Sequence, residues 1–180
     1  KNNDTWQIDN ESLSGNKTSE RSINDKYNTV IKCVHPTPDY DYSCPNDYSA
    51  SYMISYGKYK MLMMGDAQET AEKYMLDNNR LCDISVLKTG HHGSSTSSSD
   101  IFLDKIKPEA AIISCGINNR YHHPSEKVME RLHEKNIKAM VTSEHGQIKI
   151  RSDGESFTIN WDLLKQGCSG EVADCIGKFK

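Results

Sequence analysis

Along the chain the apolar positions switch repeatedly between two spacings, and the switches mark out elements. YNTVIKCV at 27–34 is a β-branched and aromatic run, closed by the breaker-rich HPTPDYDYSCPND. SASYMISYG and KYKMLMM then read as two strands of a hairpin around Gly57. AQETAEKYMLDNN places Ala67, Ala71, Tyr74 and Met75 at helical spacing. DISVLK at 83–88 is a short buried strand, and SSSDIFLDKI opens with hydroxyl and acidic cap residues before a helix to about Ile106, which Pro108 stops. AAIISCG at 110–116 is a continuous apolar strand. PSEKVMERLHEKN is a helix with Pro124 near its start and Val128 and Leu132 on one face. KAMVT gives another strand, and GQIKIRSDGESFTINW a closing hairpin across Asp153-Gly154.

Strands that alternate with helices and read as solid apolar runs predict a sheet covered on its faces. The hairpins make that sheet mixed. The expected fold class is therefore α/β, a mixed sheet with flanking helices. The chain divides into a polar linker or disordered head at 1–26, a folded unit at 27–165 and a tail at 166–180 with no clear element.

Composition narrows the function classes. A net charge of -3 supplies no basic excess for general binding to nucleic acid or anionic membranes. No run approaches the roughly 18 apolar residues of a membrane span, so no membrane contact is expected from this segment. Mean hydropathy is -0.72, but the apolar residues cluster after residue 27. The first residue is Lys1, so the chain is expected to be a processed product or a piece of something longer. None of the six cysteines lies in a C-x-x-C pair, which argues against a zinc knuckle. Cys33 with Cys44, or Cys168 with Cys175, could close a disulfide, and the even count favours an extracytoplasmic or secreted setting.

Three motifs share one placement, because each begins where an apolar strand ends: MLMMGDAQ with Asp66, SVLKTGHHGSS with His91 and His92, and IISCGINNRYHHPS with His122 and His123. Ligands of open α/β sheets collect outside the carboxyl ends of strands. Taken singly, Gly-Asp reads as a capped turn and His-His as a solvated loop. Together they bring neutral imidazole and carboxylate to one place, the donor types that divalent metals take. His35, His133 and His145 have no comparable setting. The chain has no G-x-S-x-G, G-x-x-x-x-G-K-[ST] or G-x-G-x-x-G, so neither a serine nucleophile elbow nor a nucleotide loop is expected.

The ordered set GD, LKTGHHGSSTSS, KPEAAIISCGINNRYHHP and VTSEHGQI resembles the metallo-β-lactamase fold, in the branch of the ComEC-type bacterial DNA-uptake proteins. The likeness runs from about Tyr27 to about Ile150. It implies an αββα sandwich with a metal centre at one edge, holding one or two divalent ions, Zn or Mn. It puts the bridging carboxylate on Asp66 and a metal-binding histidine on His91, with His92 as an alternate or supporting ligand. It places His123 against the substrate phosphate or leaving group, with Ser94 or Asn119 nearby to stabilise charge. His122 replaces the family's usual glycine.

Two departures matter. The fold's H-x-H-x-D-H signature is absent, so the chain resembles the second half of the domain only. Before the hairpin, where a further ligand often stands, the sequence has Asn46 and Asp47. The resemblance implies metal-assisted hydrolysis of a phosphodiester in a nucleic-acid strand, while the acidic balance leaves a small phosphodiester or another ester open as substrate. The rival expectation is a catalytically incomplete half that acts through a partner. Half a sandwich leaves one sheet face bare, so association with the upstream half or with a second copy is expected.

Overall fold

The computed structural model describes residues 20–23, 27–37, 41–162 and 176–179. Seven strands form one mixed sheet in simple sequential order: β1 (Glu20–Ile23), β2 (Thr29–His35), β3 (Ser51–Tyr56), β4 (Tyr59–Met63), β5 (Val86–Lys88), β6 (Ala110–Ile113) and β7 (Lys138–Val141). β1 to β4 pair antiparallel, and β4 to β7 pair parallel through helical crossovers. The crossovers carry α1 (Glu69–Asp77), α2 (Asp100–Ile106) and α3 (Glu126–Glu134). A single turn, α4 (Thr142–His145), leads into β8 (Gln147–Ser152) and β9 (Phe157–Asp162), which form a second, three-stranded sheet with β10 (Ile176–Phe179).

The period of two in the central strands sorts their side chains into two cores. Leu87, Ala111 and Ile113 face Ala71 and Met75 of α1, Phe102 and Leu103 of α2, and Val128 and Leu132 of α3. Val86, Ala110 and Ile112 face the opposite way, onto Phe157 and Ile159 of β9. The layers therefore run helix, sheet, sheet. The face expected to be bare is covered over its parallel half by the terminal sheet.

Two further expectations change. The polar head contributes an edge strand at Glu20–Ile23, and the featureless tail contributes β10. Neither has an apolar run of its own, and each is ordered as a strand by pairing with a better-defined neighbour, β2 and β9. Residues 1–19 and the pair Cys168 and Cys175 lie outside the described residues. Cys33 and Cys44 are both free, Cys33 donating to the His35 carbonyl at 3.2 Å and Cys44 accepting from Gln68 Nε2 at 3.3 Å. Among the described residues no helix is long and apolar enough to cross a membrane.

Candidate active site

Parallel pairing aligns the carboxyl ends of β4, β5 and β6, so the three loops that follow them emerge at one edge. Glycine lets them pack together. A Cβ on Gly90 would lie 2.3 Å from the carbonyl oxygen of Ala67, inside any possible contact, so only glycine lets the second loop meet the first. Gly93, at φ 78°, sits where a Cβ would touch Ile113 and Pro124 at 3.0 Å, which seats the second loop on the third.

Between these glycines His91 and His92 both adopt left-handed backbone, at φ 44° and 55°. Residues with a Cβ rarely do so, and strain of this kind persists only where surrounding bonds hold it. Here the His91 amide donates to Gly65 at 3.0 Å and the Ser94 amide to His91 at 2.9 Å. The Ser97 hydroxyl donates to the Gly90 carbonyl at 2.8 Å, and the Ser125 amide to Gly93 at 2.9 Å. The strain turns the two imidazoles in different directions.

His92 faces Asp66. Its Nδ1 lies 2.7 Å from the Ser114 carbonyl, which fixes the proton on that nitrogen. The other nitrogen, Nε2, lies 3.4 Å from Asp66 Oδ1. With Nδ1 bonded to a carbonyl and Nε2 facing a carboxylate, the ring is oriented as metal-binding histidines are. His91 turns instead toward Asn46, whose Nδ2 lies 3.4 Å from its Nε2, and toward His123, with ring centroids 5.9 Å apart. The sequence favoured His91 as ligand; the geometry puts His92 beside the carboxylate.

His123 lies across from this pair. Burial pushes its pKa below the usual histidine range, and the neighbouring His91 and His92 push it the same way. Tyr121 stacks on its ring at 5.8 Å, and the Arg120 guanidinium lies 4.6 Å above the Tyr121 ring while bonding its hydroxyl. Beyond His123 opens a groove of about 410 Å³, lined by residues that include Ile117, Asn118, His122, Ser143 and Glu144.

Asn119 and Ser94 both bond within the loops that carry the histidines. Asn119 spends its amide on the loop, donating to the Gly116 and His123 carbonyls at 3.0 and 2.7 Å and accepting from the His123 amide at 2.9 Å. It positions His123. Ser94 is buried, with its hydroxyl 3.0 Å from that of Thr96, and closes the histidine loop. His122 is exposed, in left-handed backbone at φ 54°.

Sequence reasoning missed two residues. His35 is fully buried, with Nε2 donating to the Asp47 carbonyl at 2.5 Å and Nδ1 3.3 Å from the Tyr42 hydroxyl; burial lowers its pKa. It holds the turn that carries Asn46 to His91. Asp47, also buried, accepts from the Gln68 amide at 2.9 Å and ties that turn to the Asp66 loop. His35 stands at a strand end before a proline, the same signal that flagged the other motifs. The second residue is Lys88, whose ammonium donates to the Thr89 carbonyl at 3.1 Å; burial lowers its pKa, with Asp66 and Cys115 opposing.

The donor chemistry suits a divalent cation: a carboxylate, an imidazole aimed at it, and buried Nδ1 atoms on His91 and His123 that have no hydrogen-bond partner. The set is incomplete, because among the described residues no three His, Cys, Asp or Glu side chains converge as a ligand group.

The family model of the metallo-beta-lactamase superfamily matches residues 24–117, just over half of the chain and a span that includes Asp66 and the histidine pair. The chain belongs to the metallo-beta-lactamase superfamily. Members of this superfamily generally bind divalent metals. Within the superfamily, the chain is similar to proteins of bacterial competence and recombination. The chain is 34% identical over 111 residues to ComE operon protein 3 of Bacillus subtilis, a match covering 62% of the chain and 14% of that protein. It is 37% identical over 105 residues to Recombination protein 2 of Haemophilus influenzae (58% of the chain, 13% of that protein). Competence protein ComA of Neisseria gonorrhoeae is 35% identical over 108 residues, covering 58% and 15%. The matched metallo-beta-lactamase segment thus spans about a seventh of each relative's length.

Proposed function

We propose that this chain is the second half of a metal-dependent hydrolase domain that cleaves phosphodiester bonds in a nucleic-acid strand. The observation that carries the reading is the meeting of Asp66 and His92 at one sheet edge, with His91 and His123 beside them. Asp66 and His92 would hold a divalent cation, zinc or manganese, and His91 stands ready for a second. When bound, such an ion supplies Lewis acidity that activates water and neutralises charge on a phosphoryl oxygen.

The chain's own residues do the rest. The Ser114 carbonyl keeps the His92 proton on Nδ1 and so keeps Nε2 free to ligate. Asn119 fixes the backbone of His123, which borders both the histidine cluster and the groove and would meet the scissile phosphate or its leaving oxygen. Lys88 adds positive charge close to Asp66. The competence and recombination names of the relatives support a nucleic-acid substrate.

The incomplete ligand group favours one second reading: a half-domain that acts by binding an upstream half or a second copy, without chemistry of its own. One set of measurements separates the two. The chain alone, and the chain joined to an upstream half carrying H-x-H-x-D-H, are assayed for bound metal by elemental analysis, for mass by light scattering, and for hydrolysis of a generic phosphodiester with added manganese or zinc. The hydrolase reading expects metal and hydrolysis in the joined form, both lost in Asp66→Ala. A joined form that binds no metal and cleaves nothing would sink it.

A further inference from the structure

The groove beside His123 has its walls fixed in advance. One wall is the loop after β6, clamped from within by Asn119. The other is the α4 turn after β7. The two are pinned together by Thr142, whose hydroxyl donates to the Cys115 carbonyl at 2.9 Å and accepts from the Cys115 amide at 3.0 Å. Walls held this way need little reordering when a ligand enters.

The lining is mixed in a specific way. Ile117 is 53% exposed and offers an apolar surface, while Asn118, Ser143 and Glu144 offer hydrogen-bonding groups. The volume of about 410 Å³ falls within the roughly 300–1,000 Å³ of small-molecule sites. A carboxylate in the groove repels phosphate, so a nucleotide would leave its phosphate on the histidine side. Its neutral part fits the groove: a flat ring for Ile117, and N–H donors for Glu144. At the His123 end the Arg120–Tyr121–His123 stack adds an aromatic and cationic surface of the kind that receives unpaired bases.

We infer that this groove is a nucleoside subsite that seats the base next to the phosphate held at the histidine cluster, with Ile117 and Glu144 determining which base is preferred. The inference rests on the nucleic-acid reading above and assigns that substrate a place on this chain.

The test needs neither metal nor turnover. The isotopically labelled chain is titrated by NMR with a single-stranded tetradeoxynucleotide and with an abasic tetramer of equal charge. Expected are shifts centred on residues 116–124 and 142–145, and binding of the abasic strand weaker by roughly tenfold, within the range that base stacking contributes. Ile117→Ala and Glu144→Gln each narrow that ratio; both side chains are exposed, and unchanged melting temperatures check that the fold is kept. Equal binding of the two strands, shifts elsewhere, no binding of either, or a ratio untouched by both variants would each overturn the inference. Cleavage is scored separately in the joined domain. Base discrimination without cleavage leaves the subsite standing and sinks the hydrolase reading, whereas cleavage without discrimination does the reverse.

Discussion

At Gly90 a single hydrogen atom decides whether the active-site edge can assemble. The loops of Asp66 and His91 touch through the Ala67 carbonyl, and a methyl group on Gly90 has no free space. Because the clash is with backbone, no rotamer change relieves it. Gly90→Ala should destabilise the fold by about 1–3 kcal/mol, the cost of overpacking a tight contact, read as a lower urea midpoint with unchanged slope. It should also separate Asp66 from His92 and broaden the NMR signals of the histidine loop. A Gly90→Ala protein with wild-type stability and unshifted histidine resonances would show that the loops pack differently. The motif HHGS was legible in the sequence, but the division between the two histidines was not. Adjacent residues in left-handed backbone point apart, and which one meets the carboxylate depends on the Ser114 carbonyl from the loop after β6.

The two helix starts nearest this edge are capped by different means. α3 follows the local rule, with the Ser125 hydroxyl accepting from the Val128 amide at 3.4 Å. α2 follows Ser99 and has Asp100 in its first turn, as the sequence predicts, yet Ser99 makes no side-chain cap. The acceptor comes from α1: buried Glu72 takes the Ser98 amide at 2.5 Å on one oxygen and the Ser99 amide at 2.9 Å on the other. Burial raises the Glu72 pKa, while the amides of Ser99 and Ser98 act against that rise. Glu72→Gln preserves volume but replaces one acceptor with a donor that faces a backbone N–H. A loss of about 1–3 kcal/mol is expected from the unsatisfied buried pair, measured by chemical denaturation. Glu72→Gln as stable as the parent would mean that the α2 amides find water instead.

The joint between the two sheets has a titratable reporter. Tyr59 projects from β4 into the core shared with Phe157, the ring centroids 5.5 Å apart, and burial pushes its pKa from 10.0 up to about 12. The folded state therefore prefers the neutral phenol. Below the unfolded value of about 10 both states are neutral and the group contributes no pH dependence; from there to about 12 only the unfolded chain ionises, so stability falls as pH rises. Tyr59→Phe should remove that part of the alkaline loss, seen as a flatter dependence of the denaturation midpoint between those limits. Parallel curves for the two proteins would place Tyr59 in water, with the terminal sheet detached from the main one.

The apolar periodicity of the chain determined the hairpin around Gly57, the three crossover helices, the parallel strands between them and the order of the three motif loops. These features depend on neighbours within a few positions, and the spacing of apolar residues encodes burial directly. The motif loops also marked the family, because GD, HHGS and the segment ending in His123-Pro124 occur in order. The tertiary structure decided the rest: that the terminal sheet covers the parallel strands, that Glu20–Ile23 and Ile176–Phe179 are strands, that Glu72 caps α2, that His35 supports the Asn46 turn, and that His92 meets Asp66. Each depends on contacts between positions far apart in the chain, brought together by sheet pairing and loop packing that no local pattern records.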